Sequence, residues 1–456
     1  METKFDILTR PYQEKLLESL KGLVAINSCL DLSTKDEQNP FGIGVSKALQ
    51  YVEKMAKDDG FEVNNYSNMV VEILCGNGPK NITILAHADV VPAGTGWERD
   101  PFTMLEKDGV VYGRGVSDDK GPMMSSYYAL KALRDNNLLG NYTVRLLVGG
   151  NEETGSLGMI HYFYKLNKPQ PDLGFSPDAD FPLIFAEKGI FGFEVSKEIK
   201  LANIYSMKGG VASNCVIEKC EVEMDNDQAF IDYLKRNNVK FEVEEKANGM
   251  VVSFIGKAAH GSVPQYGINA GLIAIERLGD FYKIEDFKKV IEKYSDCYGR
   301  GIDAYSYSED MGENSLNIGI LKYENNMLSF IVNFRFVDTA NEEELRKNIV
   351  EKSVPFSVKL HPGVGVLYYP KDSILISTLL KSYQEETGDY KTPILAIGGG
   401  TYAKVAKNIV AFGMEFPGWN SNMHSPGEMI KISSLNKGMA IYANAILALG
   451  EKLNEN

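Results

Sequence analysis

Tryptophan, histidine and cysteine are scarce in this chain. Its 456 residues include only two tryptophans, five histidines and five cysteines. The cysteines are scattered, odd in number and without a Cys-x-x-Cys pair, which argues against a disulfide framework. We therefore expect a reduced chain located in the cytoplasm. The cysteines are Cys29, Cys75, Cys215, Cys220 and Cys297.

Long apolar runs and basic blocks are also absent. No apolar stretch approaches the length of a membrane helix, and residues 1–10 lack the apolar core of a signal peptide. The net charge is −13, and the sequence contains no block of lysine and arginine residues. We therefore expect neither nucleic acid nor an anionic membrane as a partner.

The composition is typical of a globular protein with a sizeable core. Hydrophobic residues make up 44% of the chain and charged residues 24%, which are ordinary proportions for a soluble protein. A chain of 456 residues is long enough to form two or three domains.

The hydrophobic pattern changes twice along the chain. At first, helical spacing alternates with short apolar strands, which predicts an α/β layer. From about residue 189, apolar residues alternate in period two with helices between them, which predicts a separate α+β domain. From about residue 372 the first pattern returns. We therefore expect one α/β domain formed by residues 1–186 and 369–456, interrupted by an inserted α+β domain at 187–368.

Individual elements follow from the same periodicity. The predicted helices lie near 11–30, 45–56, 123–133, 226–236, 269–280, 341–350, 374–388 and 433–449, and the predicted strands of the first part lie near 69–75, 82–87 and 142–148.

The stretch ITILAHADVVPAG, residues 82–94, places two polar side chains where a buried strand should end. Residues two apart on a strand point to the same face, so His87 and Asp89 should project together. Open α/β sheets bind ligands at the carboxyl ends of their strands. A carboxylate beside an imidazole is a common way to orient a metal-binding histidine. The alternative is a surface histidine followed by an aspartate in a turn.

Two further acidic pairs lie in glycine-rich surroundings. Asp118 and Asp119 occur in YGRGVSDDKGP, which lacks the spacing of a phosphate-binding loop, and its acids would repel phosphate. Glu152 and Glu153 occur in LLVGGNEETGSLG after an apolar strand. Adjacent carboxylates repel each other unless a positive charge lies near them, and that charge is either a metal ion or a lysine or arginine.

Two loops supply the remaining candidates. FSPDADFP contributes Asp178 in a loop framed by prolines, and NMHSPGE contributes His424 before the last helix. Together with the strand ends, these loops provide two histidines and several carboxylates but no thiolate. This set suits a pair of divalent metal ions about 3.5–4 Å apart, joined by a bridging carboxylate.

The motifs HADVVP, GRGVSDDKGP, NEETGS, AAHGSVP and HSPGE occur in the order seen in the co-catalytic zinc metallopeptidase family of aminoacylases, carboxypeptidases and succinyl-diaminopimelate desuccinylase. The match covers nearly the whole chain. PDADFP, AEKG and GGGTYAK most resemble its bacterial dipeptidase branch, which includes carnosinase-like enzymes. The resemblance implies a catalytic domain with a mixed sheet flanked by helices, of the zinc-exopeptidase type, and an inserted α+β lid domain.

The resemblance implies a role for each candidate residue. One divalent ion, zinc or else manganese or cobalt, would be bound by His87 and Asp178, and a second by Glu153 and His424. Asp118 would bridge the two ions, and the Asp118–Asp119 peptide is expected to be cis. Asp89 would orient the imidazole of His87, and Glu152 would be the general base.

Three residues of the inserted domain would act on the substrate. His260 would reach the oxyanion, while Asn214 and Arg335 would bind the substrate. Arg335 lies in FIVNFRFVD, where strand alternation puts it on the face of Ile331 and Asn333. The functional interpretation is that its guanidinium binds the free carboxylate of a dipeptide through two hydrogen bonds. The alternative is an arginine on a solvated face of a sheet.

The chain departs from the family pattern at two positions. Asp119 follows the bridging aspartate where the wider family has methionine, as in the dipeptidase branch, and Lys404 stands where that branch commonly has arginine. In oligomeric relatives the oxyanion histidine comes from a partner subunit. Here the long insertion predicts a functional monomer that folds over its own site.

The expected activity is the hydrolysis of dipeptides. An amidase that removes an acyl group from an amino acid is the alternative among enzymes. A binding or scaffold protein that lost the chemistry is disfavoured, because all five predicted ligands and Glu152 are present.

Overall fold

In the computed structural model, which describes residues 2–455, the chain separates into two compact units. The first unit runs to Ala186 and also includes Tyr369–Leu395 and the chain from Thr401 onwards. The second unit comprises Glu187–Tyr368 and Ala396–Gly400. Within the described residues, no helix is long and apolar enough to cross a membrane.

The first unit is built on a mixed sheet. The strand Asn81–His87 lies near its centre and pairs in parallel with Thr143–Gly149 and with Leu173–Ser176. Antiparallel strands extend the sheet beyond Thr143–Gly149, and a parallel strand extends it beyond Leu173–Ser176. In spatial order the strands are Glu62–Tyr66, Val70–Cys75, Thr143–Gly149, Asn81–His87, Leu173–Ser176, Ile409–Ala411 and Ile184–Glu187.

Helices accompany this sheet, so the predicted α/β class with a mixed sheet is confirmed. Lys120–Asp135 is buried along nearly its whole length, which explains why most of its residues are apolar or small. The other helices of this unit are Lys4–Thr9, Gln13–Val24, Ile43–Asp58, Leu157–Ile160, Ile374–Thr387 and Ile432–Glu455.

Short strands form separate pairs near the loops of the first unit. Leu105–Lys107, Val110–Tyr112 and Met429–Lys431 make a three-stranded antiparallel sheet. Ala179–Asp180 pairs in parallel with Met414–Glu415. The first of these sheets joins the segment before Asp118 to the segment after His424, although they are distant in sequence.

The second unit is an antiparallel sheet of eight strands with helices. Its buried core alternates with polar residues along the strands, as the period-two pattern predicts. In spatial order the strands are Phe241–Lys246, Gly249–Ile255, Lys219–Met224, Ile204–Gly209, Ser315–Glu324, Met327–Phe336, Gly189–Glu198 and Ser357–Val364.

The helices of the second unit begin at residues suited to that position. Asp227 and Asn341 accept hydrogen bonds from backbone amides of the first turns of Gln228–Arg236 and Glu342–Lys352. Asn269 does the same for Ala270–Tyr282. A fourth helix, Glu285–Tyr294, was not among the predicted elements.

Candidate metal centre

The histidine and carboxylate side chains meet at the carboxyl edge of the central sheet. His87 is the last residue of its strand and lies beside Gly149 in the parallel neighbour. Glu152 and Glu153 follow that neighbour, and Asp178 follows the parallel strand on the other side. Parallel strands that end together bring the residues after them to one place.

Asp118 lies between the two histidines. Its Oδ1 is 3.0 Å from Nε2 of His87, and its Oδ2 is 2.7 Å from Nε2 of His424. Nε2 of His87 is also 3.5 Å from Oδ2 of Asp178, and Nε2 of His424 is 3.3 Å from Oε2 of Glu153. Asp118 thus presents one oxygen to each of two histidine–carboxylate pairs.

The donor atoms fit divalent metal ions. The site contains two groups of three potential ligand residues, and both groups include His87. Within each group, the ligand atoms all lie within 4.8 Å of one another. Nε2 of His87 lies close to Asp118 but makes no hydrogen bond with it, and Oε1 of Glu153 is also buried without a hydrogen-bond partner among the described residues. Imidazole and carboxylate donors are suited to zinc and similar ions. The first group is His87, Asp118 and Glu153, and the second is His87, Glu152 and Asp178.

The electrostatics of the cluster show an excess of negative charge. Burial, and then the charge of Asp178, raises the pKa of Glu152 well above its ordinary value. Burial and the charge of Asp118 raise the pKa of Glu153 to about 7. Hydrogen bonds with Asp118 and Glu153 raise the pKa of His424 to about 11. The protein therefore holds carboxylates close together at a point where a cation would neutralise them.

Asp118 behaves differently from the other carboxylates. Burial alone would raise its pKa, but the hydrogen bond with His424 and the close, positively charged imidazole of His87 hold this pKa well below its usual range. The peptide between Asp118 and Asp119 is cis, as predicted. The carboxylate of Asp119 accepts a hydrogen bond from the backbone N–H of His87 at 3.0 Å. The acidic doublet therefore places one side chain in the cluster and the other against the end of the central strand.

Asp89 contacts the imidazole of His87 in a way that strand alternation did not predict. Nδ1 of His87 lies 3.0 Å from the backbone carbonyl of Asp89 and 3.4 Å from its carboxylate. The strand ends at His87, so alternation no longer sets the direction of Asp89. Its carboxylate accepts hydrogen bonds from the backbone amides of Glu152 and Glu153, at 3.1 and 3.2 Å. Asp89 therefore fixes the loop that carries both glutamates.

Glu428 is a further residue of the centre, and sequence reasoning assigned it no role. Its buried carboxylate accepts hydrogen bonds from the amides of Gly115, Ser117 and Asp118, and pairs with Arg114 at 2.6 Å. It thereby shapes the loop that leads to Asp118. The only signal in the sequence was its position four residues after His424 in HSPGE.

Tyr402 is also near His87. Its buried ring contacts the imidazole edge-on, with ring centroids 6.1 Å apart. It belongs to the GGGTYAK motif, which indicates the dipeptidase branch but does not predict a contact with His87.

The three substrate-binding candidates lie together in the second unit. Arg335 is only 4% exposed, so the alternative of a solvated arginine is wrong. Its guanidinium donates to Oδ1 of Asn333 at 3.0 Å and to the carbonyl of Gly398, and Nη2 lies 3.5 Å from Nε2 of His260. Burial lowers its pKa to about 10. The backbone carbonyl of Asn214 accepts a hydrogen bond from the residue that follows His260.

Comparison with known proteins gives the family of the chain. The model of peptidase family M20/M25/M40 matches residues 83–448. The chain belongs to this family and is a peptidase, which confirms the family predicted from the motifs.

Named relatives match nearly the whole chain. The Bacillus subtilis protein named "Putative dipeptidase YtjP" is 33% identical over 96% of this chain and 98% of its own length. The Beta-Ala-Xaa dipeptidase of Lactobacillus delbrueckii subsp. lactis is 31% identical over 98% of this chain and 99% of its own.

Solved structures share the fold at low sequence identity. The dipeptidase Dug1p of Saccharomyces cerevisiae superposes with a TM-score of 0.61 at 14% identity, over 98% of each chain. Human carnosine dipeptidase 1 gives a TM-score of 0.58 at 14% identity, over 98% of this chain and 99% of its own.

Proposed function

We propose that the protein hydrolyses dipeptides with the help of two divalent metal ions. The observation that carries this proposal is the position of Asp118 between His87 and His424, each beside a further carboxylate, in a chain of a peptidase family. The relatives named as dipeptidases over nearly the full length support the choice of substrate.

Each ion would be held by one histidine and one carboxylate. His87 and Asp178 would hold the first, Glu153 and His424 the second, and Asp118 would join them. We propose zinc, with manganese and cobalt as the alternatives, because all donors are imidazole nitrogens or carboxylate oxygens. When bound, such ions polarise the scissile carbonyl and lower the pKa of water towards about 7.

The residues of this chain would move the proton and orient the substrate. Glu152 would accept a proton from the attacking water at its carboxylate and deliver it to the leaving amine nitrogen. Burial and the charge of Asp178 raise its pKa, which favours proton uptake at this carboxylate. Asp89 would keep Glu152 in place through the hydrogen bond that its carboxylate accepts from the backbone amide of Glu152.

The second unit would recognise the substrate. His260 would donate to the developing oxyanion, Asn214 would bind the substrate, and Arg335 would bind its free carboxylate. Arg335 suits this role because it is buried and its contacts are with an amide oxygen, a carbonyl and an imidazole. Among residues 2–455 no carboxylate pairs with this guanidinium, and a buried guanidinium so placed favours an anionic ligand. Such a contact would leave room for a single residue after the scissile bond.

The test is a substrate panel on enzyme reconstituted with zinc, manganese or cobalt, with metal content measured on the same samples. We expect dipeptides to be cleaved, and C-terminally amidated dipeptides and long peptides to be poor substrates. Preferential cleavage of N-acyl amino acids would instead favour the amidase alternative. Full metal loading without hydrolysis of either class would contradict the proposal.

We also propose a cytoplasmic monomer. The outer strand Phe241–Lys246 of the second sheet carries exposed Glu242, Glu244 and Glu245, whose charges oppose pairing with a second copy. All five cysteines are free, as expected of a reduced compartment. Light scattering should give a mass near 50.6 kDa. Twice that mass at working concentration would overturn the monomer.

A further inference from the structure

The side chain of Asn317 holds both ends of the short turn that presents Asn214. Its Nδ2 donates to the carbonyl of Ser213 at 2.8 Å and to the carbonyl of Cys215 at 3.0 Å. Both acceptors are carbonyls, so the group that faces them must be the amide NH2 and not the amide oxygen. Asn317 is only 2% exposed, whereas Asn214 is exposed. A buried amide thus fixes the two residues that flank an exposed candidate for substrate binding.

The same turn is joined to His260. Cys215 and His260 form an isolated antiparallel bridge. The amide of Gly261 donates to the carbonyl of Asn214 at 2.7 Å, and the amide of Val216 donates to the carbonyl of Ala259 at 2.9 Å. A displacement of the Asn214 turn would therefore be transmitted to the backbone on both sides of His260.

The strand that carries Asn317 also aligns the Arg335 strand. Ser315 and Asn317 lie two apart on Ser315–Glu324, so their side chains share a face. Ser315 donates to the carbonyl of Gly261 at 3.2 Å, and it is paired in register with Arg335. One end of this strand pair therefore supports the segments that carry Asn214, His260 and Arg335.

A pocket lies beside the turn, so the hydrogen bonds of Asn317 help to hold the turn in place. A cavity of about 210 Å³ adjoins it. A segment next to a cavity of this size has space to move into when its hydrogen bonds are removed. The cavity is lined by, among others, Val216, Pro264, Asn269, Leu272, Leu316 and Asn317.

We propose that Asn317 is a positioning residue for substrate recognition. Its two N–H groups hold the Asn214 turn, and through the Cys215–His260 bridge they set the position of His260. The inference rests on the proposed function, because Asn214 and His260 matter for activity only if they contact the substrate. Asn317 itself is buried and acts through these residues.

A double-mutant cycle tests the proposal. We expect Asn317→Ala to lower kcat/KM about tenfold in the otherwise unchanged enzyme, because the two hydrogen bonds that hold the Asn214 turn are lost. In the Asn214→Ala background the same change should cost clearly less, about threefold, because only the positioning of His260 is left to lose. An equal loss in both backgrounds would overturn the proposal. Asn317→Ser, judged by the same criterion, replaces the alanine variant if the latter does not fold.

Asn314 provides a matched control. It is 1% exposed and makes two backbone hydrogen bonds, donating to Ala304 at 2.8 Å and accepting from Val337 at 3.1 Å, but none to the Asn214 turn. Asn314→Ala should lower the unfolding midpoint about as much as Asn317→Ala. Its effect on kcat/KM should be the same with and without Asn214. If it were instead coupled to Asn214 as strongly as Asn317, the role of Asn317 would be merely structural.

The reactivity of Cys215 provides a readout independent of activity. Its thiol is partly exposed, and its carbonyl is one of the two that Asn317 holds. Alkylation with iodoacetamide, mapped by peptide mass spectrometry and referred to Cys29, should be faster in Asn317→Ala and unchanged in Asn314→Ala. Unchanged labelling of Cys215 in Asn317→Ala would overturn the inference. An enzyme that cleaves no substrate but shows the faster labelling would contradict only the proposed function.

Discussion

At the scale of single residues, the two neighbouring glutamates offer the sharpest division of roles. Glu153 faces His424, whereas Glu152 lies in the group with His87 and Asp178, within reach of the first proposed ion. We expect Glu152→Gln to keep its metal content and to lower kcat by about 10²–10⁴-fold, as for loss of a general base. Glu153→Gln should lose metal first.

Metal analysis after dialysis, combined with kinetics on the same preparations, distinguishes these outcomes. If Glu152→Gln lost metal while Glu153→Gln kept it, Glu152 would be a ligand and the two roles would be exchanged.

Arg335 leads to a second prediction at this scale. Arg335→Ala should lower kcat/KM on a free dipeptide at least about tenfold, because hydrogen bonds between charged groups contribute about 1.5–3 kcal/mol. The loss on the C-terminally amidated dipeptide should be much smaller. Arg346→Ala is the control, since Arg346 lies in the same unit but contacts Glu342 and the carbonyl of His361. Equal losses on acid and amide would mean that Arg335 only supports the fold.

At the scale of elements, the loop before the helix Lys120–Asp135 depends on one buried ion pair. Arg114 and Glu428 are each 1% exposed. The carboxylate of Glu428 also accepts hydrogen bonds from three backbone amides of this loop. Glu428→Gln leaves the buried guanidinium without its counter-charge. We expect the free energy of unfolding to fall by about 3–5 kcal/mol, and metal affinity to fall about 10–100-fold, as when a residue that orients a ligand is lost.

Urea unfolding and metal titration measure the two effects of Glu428→Gln. Asp58→Asn, which removes the exposed pair with Lys54, is the control and should change neither quantity appreciably. Loss of stability without loss of metal affinity would show that the loop does not set the position of Asp118.

Most elements could be predicted from hydrophobic periodicity, but the helix Glu285–Tyr294 could not. The preceding helix ends at Tyr282, and the next residue, Lys283, has a left-handed conformation in which glycine or asparagine is usual. No side chain caps the new helix at Ile284. The sequence between the two helices therefore carries no glycine stop signal and no capping side chain, and only the acidic pair Glu285 and Asp286 marks the start of the second helix. Packing of Phe287, Val290 and Tyr294 into the core of the second unit decides the boundary instead.

At the scale of the whole molecule, metal ions should stabilise the folded chain. The cluster collects carboxylates whose raised pKa values reflect burial and mutual repulsion, and an ion that binds only the folded state relieves this. Stabilisation should grow with ion concentration, reaching about 2.7 kcal/mol at a hundred times the dissociation constant. Chelation should accordingly lower the unfolding midpoint, and zinc should restore it.

Thermal unfolding of chelated and reconstituted protein provides the measurement. His87→Ala and His424→Ala should each respond much less to added ions than the unchanged protein. Identical midpoints with and without ions in the unchanged protein would argue against metal binding at this cluster.

The sequence by itself determined the family, the mixed α/β class and the types of residue at the site. These are local properties, since strand ends and short motifs place His87, Asp118 and Glu153 without knowledge of distant contacts. Only the tertiary structure decided which atoms meet. Glu428 reaches a loop more than three hundred positions earlier, Arg335 is buried by segments from elsewhere in its unit, and Asp89 contacts His87 mainly through its carbonyl. Such contacts depend on how distant segments pack, and periodicity along one segment carries no information about them.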